Sequence, residues 1–173
     1  MAGKHEQHVD IGWLKENFDL RGADVFWKVP NAWRRGLDTP AGYVAPHGYR
    51  MIKASAPDTG RVMLYAHRVA FALTHGHWPR GHIDHVDGNR ANNAPENLRD
   101  VTYLENNKNR AKPKTNRSGV VGVRQLPTGA WLAYIGKRGG PKKQFSRFDD
   151  AVAYRRQLER DADYHENHGR VPA

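Results

Sequence analysis

Apolar and polar positions change their period several times along this chain, and the changes mark its elements. Around 11–18 the apolar residues recur at helical spacing and predict a short helix after a polar lead. Three runs rich in β-branched and aromatic residues follow at 23–29, 49–54 and 61–65. Segments dense in Gly, Pro, Asn and Asp separate them, which predicts one small antiparallel sheet. At 67–75 the period returns to that of a helix: Val69, Ala70 and Leu73 share a face that suits packing on the sheet, and Gly76 with Trp78-Pro79 ends the element. A brief strand at 81–85 then feeds a loop over 86–95, where Asp87-Gly88-Asn89 is a turn signal. Thr102, with Glu105 three positions later, has the pattern of a capping box and predicts a second helix running to Arg110.

Beyond Pro113 the pattern starts again. The stretch after Arg110 has the composition of a linker. Three strands are predicted at 120–126, 130–135 and 142–148, then a helix from Asp150 that Asp149 can cap. Ala151, Tyr154, Leu158 and Ala162 fall on one face of that helix. Alternation in the strands turns Val123, Trp131, Ala133, Ile135 and Phe145 toward it, and Arg124, Leu126, Tyr134, Lys142 and Gln144 away. The chain thus reads as α+β: an N-terminal extension over 1–22, a first domain over 23–110, a basic linker over 111–116 and a second domain over 117–173.

Composition narrows what these domains can be. The chain has no cysteine, so neither disulfides nor a Cys-ligated structural zinc can brace it. The longest apolar run, 69–73, is too short to cross a bilayer, and the start does not resemble a secretion signal, so a soluble intracellular protein without a membrane partner is expected. The net charge of +10 is unevenly placed: residues 107–147 carry 11 Lys/Arg and no acid, interleaved with Trp131, Tyr134 and Phe145. A solvated face or a flexible arm would explain the charge alone. Bulky apolar residues threaded through it favour a folded surface for a polyanion.

The candidate chemistry lies at the end of the strand over 81–85. Asp84 and His85 are adjacent there, and the helix begun at Thr102 can carry Asn106 back across the strand. One carboxylate and one amide form a sparse oxygen-donor site that suits magnesium, with manganese as a substitute, better than zinc. Phosphodiester cleavage needs an activated water, charge stabilisation and help for the leaving oxygen. His85 can act as the base, a cation held by Asp84 and Asn106 can serve the rest, and Arg99 and Lys108 are near in sequence to contact phosphate. By themselves these residues also fit a structural histidine beside an ordinary turn. His67 reads as a packing or capping residue, His75, His77 and His82 as surface groups around a turn, and His165 and His168 as part of a frayed end.

Further motifs carry a resemblance. Ala66-His67-Arg68-Val69-Ala70, the run Asp84-His85-Val86-Asp87-Gly88-Asn89-Arg90-Ala91-Asn92-Asn93, Asn97-Leu98-Arg99, and Asn106 together resemble the HNH endonucleases, specifically phage-type homing endonucleases of the His-Asn-Asn variety. The resemblance covers about 23–110. It implies a ββα-metal (His-Me finger) core, His85 as general base, Asp84 and Asn106 as ligands of a divalent metal, and Asn97 shaping the loop or orienting His85. The third position is Asn106 where many relatives have histidine, which moves the expectation from zinc toward magnesium.

The second domain, through Ser118-Gly119-Val120-Val121-Gly122-Val123-Arg124, Trp131-Leu132-Ala133-Tyr134-Ile135 and Phe145-Ser146-Arg147-Phe148, resembles the ethylene-response-factor (Apetala-type) DNA-binding domain. That implies a three-stranded sheet laid in the DNA major groove and backed by one helix. Arg124, Tyr134, Lys142 and Gln144 fall where that family contacts DNA, with Arg124 suited to reading guanine. Arg117, Lys137, Arg138 and Lys143 fall where phosphates would be held, and Trp131 in the core. The expectation is a DNA endonuclease of homing type acting on double-stranded DNA, a nicking monomer with dimers left open, working in the cytoplasm of a bacterial host if phage-encoded. The alternative is a DNA-binding regulator that keeps the HNH frame without catalysis. An RNA-cleaving nuclease fits less well, since an RNA major groove is too narrow to be read this way.

Overall fold

The computed structural model describes residues 9–30, 36–109, 112–136, 140–165 and 168–169. The chain divides into two compact units, 1–106 and 107–173. The expected end of a helix at Arg110, the linker residue Ala111, and Lys137 and Arg138 lie outside the described residues.

The first unit opens with α1 (Ile11–Asn17), capped by Asp10, whose Oδ1 accepts from Trp13 N–H at 2.9 Å. Phe18, expected inside this helix, begins strand β1 (Phe18–Arg21), which pairs antiparallel with β2 (Asp24–Trp27). The early strand therefore forms its own hairpin and does not join the runs at 49–54 and 61–65; an isolated bridge from Phe26 to Pro40 is its other pairing among the described residues. Packing explains the difference. Phe18 is buried with its ring centroid 4.0 Å from that of Trp27, the residue opposite it in register, a contact available only if Phe18 is extended.

A second sheet takes the order β3 (Tyr43–Val44), β4 (Arg50–Ala56), β5 (Gly60–Tyr65), all antiparallel. Helix α2 (Ala66–His75) follows β5 directly and ends on Gly76 in the left-handed conformation that glycine accepts most readily. Its Val69, Ala70 and Ala72 are enclosed in a core with Leu14, Phe18, Val25, Ile52 and Leu64. Arg68 on the same helix is also buried, because it donates to the carbonyls of Pro79 (3.2 Å) and Gly81 (3.1 Å). Those contacts fix the chain just before β6 (His82–His85).

Strand β6 pairs antiparallel with β7 (Leu98–Val101), placing Asp84 opposite Arg99 and His85 opposite Leu98. The sequence reading did not include β7. A 3₁₀ turn (Pro95–Asn97) leads into it, and Asp100 anchors the start of the hairpin by accepting from the N–H groups of Arg80 and Gly81, both at 2.7 Å. Helix α3 (Tyr103–Lys108) follows with its capping box formed: Glu105 Oε2 accepts from Thr102 N–H at 2.7 Å, and Thr102 Oγ1 accepts from Glu105 N–H at 3.3 Å. Strand, strand, helix is the order of elements around Asp84 and His85.

In the second unit, β8 (Val123–Gln125), β9 (Trp131–Tyr134) and β10 (Lys142–Phe145) form an antiparallel sheet with β9 central. Helix α4 (Phe148–Asp161) packs on it around Val123, Ala133 and Ala151, with Trp131, Phe145, Phe148 and Tyr154 partly buried at the margin. The helix starts two residues before the expected position, so Asp149 lies in its first turn and the capping position is Arg147, without a side-chain bond. Both Asp149 and Asp150 still favour the positive end of the helix dipole. Gly122, at φ 76°, brings the backbone so near Tyr134 O and Arg155 Nε that any Cβ would lie 2.5 Å from each.

Candidate functional site

Asp84 and His85 are both buried at the end of β6, 5% and 4% exposed. What holds them there is a loop that satisfies its own polar groups. Asp87 is its hub: Oδ1 accepts from Asn89 N–H (2.8 Å) and Asn97 Nδ2 (2.9 Å), and Oδ2 accepts from Asn92 Nδ2 (2.9 Å). Asn97 completes the circuit, donating to Asn92 O at 2.8 Å and accepting from Asp87 N–H at 3.0 Å. The turn closes with Gly88 N–H donating to His85 O at 2.8 Å, and Gly88, at φ 73°, supplies the left-handed residue it needs. Burial pushes the Asp87 carboxyl up, but the bonds from Asn92, Asn89 and Asn97 outweigh it and leave the group below the usual range. Short polar side chains bonding to nearby backbone are the reason this Asn-rich segment folds as a loop.

Asn97 thus bonds within the loop, to Asp87 and Asn92. Orientation of His85 comes from Asn93, which is 1% exposed and places Oδ1 3.2 Å from His85 Nε2. Burial lowers the His85 pKa from its ordinary value; the Asn93 bond and the Asp87 and Asp84 carboxylates pull it back, and Arg90 adds to the lowering. The imidazole is consequently neutral, the form a base requires, at neutral pH.

Aromatic side chains surround it. The ring of His85 lies 5.3 Å from that of His67 and 5.9 Å from that of Tyr49, and Tyr65 lies 5.2 Å from His67. Arg90 caps the group, its guanidinium 4.9 Å over Tyr49 and donating to His47 O at 2.7 Å. His67 is buried and neutral, its pKa held well below the usual range by burial first and then by its neighbours His85, Arg68 and His47. This wall was not anticipated from the sequence. The Ala66-His67-Arg68 start of α2 was its one signal, and Tyr49 is distant in the chain.

Asp84 Oδ2 receives Arg99 Nη2 at 2.5 Å across the hairpin. Asn106 is half-buried on α3, its N–H bonded to Thr102 O at 3.0 Å. Among the described residues no group of three or more His, Asp or Glu could hold a metal ion. An ion held by the Asp84 carboxylate and the Asn106 amide alone would take its remaining ligands from water, as hard divalent ions do. Lys108 is engaged elsewhere, donating to Ala162 O at 2.7 Å.

In the second unit the register places Arg124 and Gln144 opposite Leu132, and Lys142 opposite Tyr134, so all five share the face away from α4. A groove of about 570 Å³ brings Arg117, Arg124, Gln125 and Tyr134 together. Lys143 stands on the other face, its ammonium 5.5 Å from the Phe145 ring and 5.9 Å from that of Tyr154. His168, expected in a frayed end, is half-buried against the Tyr164 ring at 4.7 Å.

Residues 64–108 match the model of the HNH endonuclease family, a span that runs from the end of β5 through α3 and contains Asp84, His85, Asn93, Asn97 and Asn106. Two curated proteins are similar over short spans. YosQ of Bacillus subtilis (strain 168), an SPbeta prophage-derived protein with the provisional name HNH homing endonuclease, is 37% identical over 65 residues, 37% of this chain and 38% of that protein. Protein 3.8 of Escherichia phage T7 is 41% identical over 58 residues, 33% of this chain and 48% of that protein. The similarity thus spans less than half the length of either relative. No solved structure matches the chain. Among the described residues no helix is long and apolar enough to cross a membrane.

Proposed function

We propose that this protein is a divalent-metal-dependent DNA endonuclease of HNH homing type, with a ββα-metal site at β6, β7 and α3 and a target chosen by the sheet of the second unit. The observation that carries this reading is His85: buried and held through Nε2 by Asn93, beside a buried Asp84, inside the segment that matches the HNH family. With Asn93 Oδ1 accepting from Nε2–H, the basic lone pair lies on Nδ1, where it can take a proton from an attacking water. Asp84 and Asn106 would hold the ion, which when bound supplies Lewis-acid stabilisation of phosphate charge. Asn97 and Asp87 keep the loop closed so that Asn93 stays in place.

The second unit would lie in the major groove as ethylene-response-factor domains do, with Arg124, Tyr134, Lys142 and Gln144 toward bases or backbone and Arg117 along a phosphate. The prophage and phage origins of the two relatives favour a phage-type enzyme acting in a bacterial cytoplasm. One site per chain makes a monomer a nicking enzyme.

Incubating the full chain with supercoiled host or phage DNA and magnesium should produce open circles. His85→Ala should lower the rate about 10²–10⁴-fold while DNA binding persists. Cleavage by His85→Ala at the parental rate would end the nuclease reading; binding without cleavage by the parent, with magnesium or manganese, would leave a DNA-binding regulator.

A further inference from the structure

The ion pair between Asp84 and Arg99 has a geometry that bears on how the site is loaded. The two residues are directly opposed in the β6–β7 register, and Arg99 Nη2 reaches Asp84 Oδ2 at 2.5 Å. They differ in freedom: the Asp84 side chain is 6% exposed, that of Arg99 is 44% exposed. The carboxylate is fixed by the strand end, and the guanidinium is the partner with room to leave. We propose that Arg99 is a resident counter-cation that competes with the divalent ion for Asp84, and that metal loading requires the guanidinium to swing outward. The inference rests on the reading of Asp84 as a metal ligand.

Three physical points carry it. A buried carboxylate left without a positive partner is costly, so Asp84 needs either a metal ion or another cation beside it. A divalent ion on either oxygen of that carboxylate would stand a few ångströms from the guanidinium held at Oδ2, and two cations so close repel strongly through a medium of low polarity. Arginine cannot shed its charge, so the competition is resolved by movement and not by deprotonation. Once displaced, Arg99 has five N–H donors at the edge of the site, suited to a phosphate oxygen. The same residue then restrains metal binding before DNA arrives and holds the substrate afterwards.

The test is manganese binding to the full chain without DNA, followed by the loss of the free-ion electron paramagnetic resonance signal at fixed ionic strength. Arg99→Met should bind manganese about tenfold more tightly than the parent, equivalent to about 1.4 kcal/mol. Arg90→Met, which removes the charge stacked over Tyr49, should stay within about twofold; an equal gain there would mean a general field effect and would overturn the proposal. Unchanged or weaker binding by Arg99→Met would overturn it as well. If Arg99→Met fails to fold, Arg99→Lys decides: it keeps the charge without the planar fork, so about threefold tighter binding supports the proposal and parental affinity refutes it. Asp84→Asn separates the two readings. Undiminished manganese binding by that variant would show that Asp84 is no ligand, and would remove the metal assignment itself.

Discussion

The two units of this chain differ in how much apolar material holds them together. In residues 1–106 a continuous apolar body, with Leu14, Phe18, Val25, Ile52, Leu64 and Val69 each at most 1% exposed, stands beside the buried polar groups Arg68, Asp84, His85 and Asn93. In residues 107–173 the buried apolar cluster is Val123, Ala133 and Ala151, and the next inward positions on α4 after Ala151 are Arg155 and Glu159. Arg155 Nη2 lies 3.1 Å from Glu159 Oε1, its Nε donates to Val121 O at 2.9 Å, and its guanidinium lies 5.2 Å over Tyr164. A small domain with few apolar residues to enclose must use other means to fix its helix on its sheet. The two units should therefore fail by different mutations.

The largest expected effect follows from that contrast. Arg155→Met leaves Glu159 without its most buried partner and Val121 O without a donor, and should cost the second unit about 3–5 kcal/mol. Hydrogen exchange read by mass spectrometry should show residues 120–160 opening while 36–106 keep parental protection. Equal loss of protection in both units would remove the distinction.

Next comes the polar circuit of the first unit, where the expected loss is of rate and not of fold. If His85 is the general base proposed above, Asn93→Ala should lower kcat for DNA cleavage about 10–100-fold, the usual cost of losing a group that orients such a side chain, with KM little changed. Asn93→Asp keeps an acceptor oxygen for His85 and should recover part of the rate. If Asn93→Asp is as slow as Asn93→Ala while both remain folded, Asn93 does not act by accepting from Nε2.

How much of this was legible beforehand depends on whether the cause was local. The capping box at Thr102 and Glu105, the turn at Asp87-Gly88-Asn89, the end of α2 at Gly76 and the inward set Val123, Trp131, Ala133 and Phe145 are written in neighbouring residues, and each is found. Strand β7 was missed because Leu98-Arg99-Asp100-Val101 has no apolar alternation; it is a strand because Asp100 binds the start of β6 and the pairing completes it. On α4 hydropathy marks Ala151 and Tyr154, which pack on the sheet cluster, but it does not mark the buried Arg155 and Glu159 as interior. In the site, Asp84, His85 and Asn97 stand out through the resemblance of their motifs to the HNH endonucleases, since by themselves they also fit a structural histidine beside a turn. Asn93 does not stand out, because an Asn in an Asn-rich loop looks like turn chemistry until its oxygen is found beside an imidazole. Tyr49 and His67 are brought to His85 by tertiary packing, from positions distant in the chain.

A smaller effect separates the units by pH. His67 in the first unit is enclosed, and its folded pKa lies well below the ordinary value, whereas an unfolded chain protonates it near pH 6.5. The unfolded state thus binds the extra proton, so the stability this neutral histidine contributes is present above about pH 6.5 and is lost as pH falls below it, by at most about 1.4 kcal/mol per pH unit. Urea unfolding of the full chain, followed by the amide resonances of each unit, should show the first unit weakening between pH 7.5 and 5.5. His67→Gln should flatten that slope. The half-buried His168 is lowered in the same sense by burial, so the second unit should respond in the same direction and less steeply. An unchanged slope in His67→Gln would assign the dependence to other groups.

The finest discrimination is between two adjacent lysines. Lys142 shares the outward face with Arg124, Tyr134 and Gln144, whereas Lys143 points to the helix side, its ammonium over Phe145 and Tyr154. If the outward face meets DNA, Lys142→Ala should weaken binding for all sequences alike and make the plot of log affinity against log salt shallower by about one counterion. Lys143→Ala should leave that slope alone and instead take about 0.5–1 kcal/mol from the stability of the second unit through the lost cation–π contacts. The opposite assignment, with Lys143 setting the salt slope and Lys142 silent, would turn the sheet over and make the helix side the DNA surface. Because strand neighbours project to opposite faces, no rotation of the sheet on DNA lets both lysines behave alike, and the pair reports which face is used even before the target sequence is known.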